Sequence, residues 1–152
     1  MLVLVIALGA YLLFFKNPSE PKFVKQGEVT FFKNGSKAMI KKIDVEVAND
    51  PTTRTVGLMN RSKMEESNGK LFIFEYPDIH KIWMKNTLIP LDITFVDSLG
   101  VIDTIYRKAE PLSERTLPSR RKVQFVVETN GGFSDKFNIK EGDLISFDVD
   151  KK

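Results

Sequence analysis

Hydrophobic and polar residues alternate over most of the chain. After an Asn34-Gly35 pair, Ile43, Val45 and Val47 share one face of an extended run, with acidic residues between them. A period of two predicts a half-buried strand, and Asn-Gly predicts a hairpin turn because both residues tolerate positive φ. The pattern therefore indicates a β-rich domain that begins with a hairpin.

The rest of the pattern predicts short strands with little helix. Further strands are predicted at residues 71–75, 81–85, 92–97, 101–107, 123–129 and 144–150. Asp50-Pro51 predicts a short helix over 51–59, because Asp caps free N–H groups and Pro suits the first helical position. Ser134 is expected to cap a second helical turn. The fold class predicted is mostly β (α+β), a small barrel- or sandwich-like antiparallel sheet domain with one or two short helices.

The N-terminal residues differ from this pattern. Residues 1–15 form an uncharged apolar run, and the polar segment 16–27 follows with two prolines. Fifteen residues are short for a bilayer span, which takes roughly 20, but they match the apolar centre of a signal peptide. We expect 1–15 to be a signal or anchor segment and 16–27 a polar tether. The domain at 28–150 is then exported or membrane-anchored, outside the cytoplasm. The lysines after the run favour a cytoplasm-facing anchor instead, and a buried N-terminal helix is a third interpretation.

Composition narrows the possible functions. The 152 residues are 42% hydrophobic, with twelve Phe, which is enough for one sizeable core. A net charge of +3 is too small to indicate a nucleic-acid partner. The chain has no cysteine, which excludes disulfides, thiol nucleophiles and thiolate metal sites. We expect no metal site, since His80 is the only histidine. We also expect a monomer without a cofactor.

Four segments carry a family resemblance. Residues 54–61 read RTVGLMNR, 69–74 read GKLFIF, 82–93 read IWMKNTLIPLDI, and 126–132 read VVETNGG. Over about residues 40 to 150 the chain resembles DUF192, a family of uncharacterised proteins. The resemblance implies a compact β-rich domain, often behind an export signal, and implies no established activity. An aromatic residue commonly stands where this chain has Ile82, which indicates a change in packing.

A cationic and aromatic pocket is the leading candidate site. In a strand at 81–85, Trp83 shares a polar face with Lys85, which suits a stacking platform for a planar ligand or a sugar ring. Arg54 and Arg61 lie seven residues apart, about two helical turns, so both can emerge on one side. With Lys85 they would bind a carboxylate, phosphate or acidic sugar. The alternatives are a Trp83 that covers the core, and arginines that form salt bridges to Glu128 and Asp92.

Three hypotheses for function follow. The first is a non-catalytic binding module at the cell envelope, for a small anionic or glycan-like ligand or a partner protein. The second is a carbohydrate-active enzyme of the envelope, with Asp92 or Glu128 as acid/base, although Asp92 also suits a turn-pinning role beside Asn86. The third is a structural accessory domain. The predicted ligand-binding residues are Arg54, Arg61, Trp83, Lys85, Asn86, Asp92 and Glu128.

Overall fold

The computed structural model describes residues 19–150, so the predicted signal or anchor segment at 1–15 lies outside the described residues. The strands of this part are β1 (Gly27–Phe32), β2 (Met39–Ala48), β3 (Asn68–Asp78), β4 (Lys81–Ile82), β5 (Leu91–Val96), β6 (Ile102–Ala109), β7 (Leu117–Pro118), β8 (Val123–Asn130) and β9 (Leu144–Val149). Its helices are α1 (Pro51–Val56) and α2 (Phe133–Lys136). Over residues 19–150, no helix has the length and hydropathy that crossing a membrane requires.

Seven strands form one mixed sheet, in the order β6-β5-β8-β3-β2-β1-β9, and β4 pairs with β7 in a small second sheet. The mostly β fold with two short helices is confirmed. The prediction of a wholly antiparallel sheet is wrong for one pair, because β2 and β3 run parallel. A parallel pair needs a crossover connection, and residues 49–67 with α1 supply it. The sheet edges meet at one corner through a Val101–Leu144 bridge, without closing into a barrel.

Local signals account for the ends of the helices. Asp50 caps α1 as predicted, because its carboxylate accepts the Thr53 N–H at 2.9 Å and Pro51 opens the helix. The helix ends three residues earlier than predicted, where Gly57 takes a φ of 50°. The prediction that Ser134 caps α2 is wrong. Gly132 occupies the N-cap position and offers no side chain.

The sheet buries a hydrophobic cluster on each face. One cluster includes Ile43, Val45, Leu71, Val127 and Phe133 of α2, and we call this side the α2 face. The other cluster includes Ala48, Leu58, Phe72, Ile93 and Val126, and we call this side the α1 face because the α1 crossover covers it. Successive residues of a strand point to opposite faces, so the sequence of β8 supplies both clusters.

The described part of the predicted tether lies against the domain. The Ser62 hydroxyl donates to the Glu20 carboxylate at 3.0 Å. The Val24 N–H donates to Glu46 Oε1 at 3.1 Å, and the Val47 N–H donates to Gln26 Oε1 at 2.8 Å. The segment from Ser19 onward is therefore bound along the surface up to the start of β1.

Asp92 joins α2 to the sheet. Its side chain is fully buried on the α2 face. Its carboxylate accepts the backbone N–H groups of Lys108 at 2.8 Å, Gly132 at 2.9 Å and Ser134 at 2.8 Å. Asp92, which was predicted to bind a ligand, thus accepts hydrogen bonds from three backbone N–H groups. Two of them lie at the start of α2, where Gly132 has no side chain to cap the helix.

We expect Asp92→Ala to lower the free energy of unfolding by about 2 kcal/mol, because three backbone N–H groups, that of Ser134 fully buried, lose a charged acceptor. Urea unfolding followed by circular dichroism measures the change. Asp148→Ala is the matched control, since Asp148 is exposed on β9, and its effect should stay within about 0.5 kcal/mol. Equal stability of the two variants would contradict this role.

The contacts of the N-terminal segment predict the result of two truncations. A chain that begins at Ser19 keeps all of these contacts and should unfold cooperatively, with a β-type circular dichroism spectrum. A chain that begins at Gly27 loses the bonds of Val24 and Gln26 and should be less stable by about 1 to 2 kcal/mol. Unfolding of both chains at the same urea concentration would contradict a stabilising role for residues 19–26.

Candidate functional site

An open cleft of about 330 Å³ lies on the α1 face, and we call it the α1 cleft. It is bounded by α1 and its following turn, by β3, and by β4 with the residues after it. Its lining includes Arg54, Leu58, Met59, Phe72, Phe74, Lys81, Ile82, Trp83, Lys85, Thr87 and Glu128. The lining therefore combines an apolar wall with three cations and one carboxyl group.

The wall formed by α1 and β3 holds Arg54 in a fixed position. Its Nη1 donates to the Ile73 carbonyl at 2.9 Å, and its Nη2 pairs with the Glu75 carboxylate at 3.0 Å. The guanidinium carbon lies 5.1 Å from the centroid of the Phe74 ring, within the range of a cation–π contact. Arg54 thus stacks on the wall of the cleft, and its ion-pair partner is Glu75 rather than the predicted Glu128 or Asp92.

Trp83 and Lys85 form the opposite wall. The Trp83 side chain is 37% exposed, and the Lys85 Nζ lies 5.0 Å from its ring centroid. Met84 between them is buried. The predicted alternation is confirmed at these positions, although the strand itself ends at Ile82. The Trp83 ring therefore offers an accessible surface with a cation beside it.

The loop after β6 supports this wall. The Met84 N–H donates to the Ser113 carbonyl at 2.9 Å, and the Leu112 N–H donates to the Thr87 carbonyl at 3.0 Å. Glu114 from the same loop lies 3.4 Å from the Lys85 ammonium. Backbone pairing of this kind fixes the position of Trp83 without a strand.

A row of ionisable side chains crosses the sheet beneath the cleft. Glu46 of β2 is paired with Lys70 of β3, and Lys70 is paired with Glu128 of β8. All three are buried. The Lys70 ammonium donates to the Gly57 carbonyl at 2.8 Å, and Arg61 Nη2 lies 2.6 Å from Glu46. The α1 crossover therefore covers the row with groups that neutralise or bond two of its three members.

Glu128 is the third member, and it is the one that reaches the cleft. Burial raises the pKa of its carboxyl to about 8, against the opposing effect of the Lys70 charge. Burial also lowers the pKa of Lys70. Among residues 19–150 no group donates a hydrogen bond to the Glu128 carboxyl. A carboxyl group whose pKa is raised by burial thus lines an open cleft.

Four of the seven predicted site residues lie together in the α1 cleft, namely Arg54, Trp83, Lys85 and Glu128. Arg61 lies outside it, in the buried pair with Glu46, because α1 ends at Gly57 and the two-turn spacing does not apply. Asn86 is a turn residue with a φ of 53° and its carbonyl accepts the Asn60 N–H.

Asp92 and Glu128 cannot act as a carboxylate pair in one cleft. Glu128 is paired with Ile93, so Asp92, one residue earlier, points to the opposite face. Of the residues that line the α1 cleft, Glu128 alone carries a carboxyl group. The arrangement that the predicted glycosidase mechanism needs is therefore not formed by these two residues. Within residues 19–150, no cluster of three His, Cys, Asp or Glu side chains is arranged to hold a metal ion.

The sequence pattern does not predict Lys70, Glu46 or Lys81 as part of the site. Alternation puts Glu46 on the polar side of a half-buried strand, and it cannot tell a solvent-facing side from one covered by a crossover. A lysine between Gly69 and Leu71, inside an otherwise apolar strand, was the available signal.

Comparisons with known proteins agree with this fold. A crystal structure from Sinorhizobium meliloti 1021, described as a candidate transcription regulator, is 34% identical, with a TM-score of 0.77, over 84% of this chain and 98% of its own. The crystal structure of a protein of unknown function from Novosphingobium aromaticivorans DSM 12444 is 33% identical, with a TM-score of 0.73, over 78% of this chain and 83% of its own. None of the curated proteins is significantly similar. The sequence profile of DUF192, described as Uncharacterized ACR, matches residues 31–147, which include the whole lining of the α1 cleft, and the chain therefore belongs to the DUF192 family.

Proposed function

We propose that the protein is a binding module, and that its α1 cleft takes a small ligand with an anionic group on a flat ring. The observation that carries the proposal is the Trp83 ring, which is 37% exposed in the cleft with a cation 5.0 Å from its centroid. Aromatic faces of this kind bind sugar rings and aromatic rings. The Lys85 ammonium, which lies over one side of the ring, favours a ligand that carries a negative charge.

The cations of the cleft support an anionic ligand. Arg54 is held by Ile73 and Glu75, so its charge is partly compensated. Lys85 keeps only a 3.4 Å contact with an exposed glutamate. Lys81 is exposed and forms no ion pair within residues 19–150. The two lysines therefore give the mouth of the cleft a positive potential that attracts anions.

The size of the cleft limits the ligand. Ligand pockets range from about 300 to 1,000 Å³, and the α1 cleft, at about 330 Å³, is at the small end. A single sugar ring or a single aromatic ring fits such a space, whereas an oligomer would extend beyond it. The proposal is therefore for a monosaccharide-sized anion, such as a uronic acid or an aromatic carboxylate.

Trp83 is the only tryptophan, so intrinsic fluorescence reports directly on the cleft. We expect a saturable change on titration with D-glucuronate or benzoate. D-glucose and benzyl alcohol are the neutral controls, and each should bind at least about tenfold more weakly, which corresponds to about 1.4 kcal/mol for the lost charge. Equal responses to the charged and neutral compounds, or no saturable response to any of them, would contradict the proposal.

Lysine variants test the role of the mouth of the cleft. Lys85→Gln should weaken binding of the anionic compound several-fold, because it removes the cation beside the ring. Lys37→Gln is the matched control, since Lys37 is exposed in the turn between β1 and β2, and it should bind like the unmodified protein. A Lys37→Gln effect as large as that of Lys85→Gln would indicate a general effect of net charge.

We also propose that the domain acts at the cell envelope, outside the cytoplasm, with residues 1–15 as its signal or anchor. The support is the uncharged apolar run in the sequence, whose length is typical of the apolar centre of a signal peptide. A ligand-binding domain at that location would meet small acidic solutes and envelope sugars.

A fusion of residues 1–25 to alkaline phosphatase tests this location, because that reporter is active only outside the cytoplasm. We expect activity from the native segment. Replacement of Ile6 and Leu8 by arginine should abolish it, since charges in the apolar run prevent insertion. Recovery of the native fusion as an inactive cytosolic protein would defeat the proposal for the location and would leave the proposal for the cleft intact.

A further inference from the structure

Glu128 is a buried residue whose carboxyl reaches the α1 cleft. Its residue is 4% exposed, it lines the cleft, and no group among residues 19–150 donates a hydrogen bond to its carboxyl. Its oxygens are not among the fully buried side-chain atoms that lack a hydrogen-bond partner in this part of the chain, which are Glu46 Oε2, Arg61 Nε and Thr129 Oγ1, so they stay accessible from the cleft. The cleft is the side from which a partner can reach this carboxyl.

The charged groups of the row beside Glu128 bond to other partners. Lys70, its neighbour on β3, donates to the Gly57 carbonyl. Beyond Lys70, Glu46 of β2 pairs with Arg61. On the other side, β5 presents the apolar Ile93. The remaining ionisable groups are Arg54 from α1, Lys81 and Lys85 from the opposite wall, and His80, which stacks on Phe74 at 3.6 Å between ring centroids.

We propose that Glu128 is a specificity-determining residue of the α1 cleft, whose carboxyl O–H donates a hydrogen bond to an acceptor oxygen at the inner end of the bound ligand. This inference rests on the proposed function and deepens it. The ligand then turns an uncharged acceptor oxygen inward, toward Glu128, while its ring lies on Trp83 and its carboxylate lies near Lys85 at the mouth of the cleft. A ligand with an ammonium group at that end would be rejected by the neighbouring Lys70 charge.

The direction of the hydrogen bond has a consequence for pH. With a pKa of about 8, Glu128 carries its proton at pH 6 and loses it as the pH rises through about 8. The ionised form has no hydrogen to donate and repels an anion. Affinity should therefore be constant below the pKa and fall about tenfold for each unit of pH above it.

The experiment measures the affinity of glucuronate, which has acceptor oxygens besides its carboxylate, by Trp83 fluorescence from about pH 6 to about pH 9, over which glucuronate stays ionised. We compare the unmodified protein with Glu128→Gln and Glu128→Leu. The glutamine amide donates a hydrogen bond and does not titrate, so Glu128→Gln should keep the affinity at low pH and lose the pH dependence. The leucine has no donor, so Glu128→Leu should bind at least about tenfold more weakly at every pH.

The outcomes separate this inference from the proposed function. A profile in the unmodified protein that is flat, or that rises with pH, overturns the role of Glu128, and this test needs no substitution. A pH dependence that persists in Glu128→Gln overturns it as well, because Lys70 and His80 are still present there. In either case the fluorescence response itself would uphold the binding module. No response to glucuronate or to benzoate in the unmodified protein would overturn both proposals.

Discussion

Three ionisable side chains stand in one row across the central strands β2, β3 and β8, and their burial constrains what can cover the sheet. Removing Glu46, Lys70 and Glu128 from water costs free energy that apolar contacts alone do not return. The crossover between β2 and β3 supplies partners for two of the three, the Gly57 carbonyl for Lys70 and Arg61 for Glu46. Its position is therefore set by charge as well as by the packing of Leu58.

The same constraint explains which parts of the site could be predicted. Alternation correctly predicted that Trp83 is accessible and Met84 buried, because the side of the chain on which a residue lies is a local property. The row of Glu46, Lys70 and Glu128 could not be predicted, since these residues become neighbours only through the register of β2 with β3 and of β3 with β8. Arg61 was assigned to the pocket by its helical spacing from Arg54, and Asp92 by residue type. Their partners are Glu46 and three backbone N–H groups, which only the tertiary structure brings to them.

The fold as a whole shows the same division. The positions of most strands, the start of α1 and the mostly β class follow from short stretches of sequence, and these predictions are confirmed. The strand predicted at 81–85 ends at Ile82, and β7 lies in a stretch without predicted elements. The parallel pairing of β2 with β3 depends on a crossover, and alternation contains no information on the direction of a neighbouring strand. The loop between β6 and β8 was the longest stretch without predicted elements. It is ordered through backbone bonds at Met84 and Leu112, which a propensity-based prediction does not detect.

Asp92 and Glu128 are both buried carboxyl groups on neighbouring strands, yet their surroundings assign them opposite roles. Asp92 accepts hydrogen bonds from three backbone N–H groups at 2.8 to 2.9 Å. These bonds hold α2 to the sheet. Glu128 accepts none within residues 19–150 and lines a cleft. A carboxyl whose bonds are made inside the protein stabilises the fold, whereas one that lacks them and lines a cleft can bond to water or to a ligand. The sheet thus holds a carboxyl bonded within the protein on the α2 face and one open to a cleft on the α1 face, and one residue of register separates them.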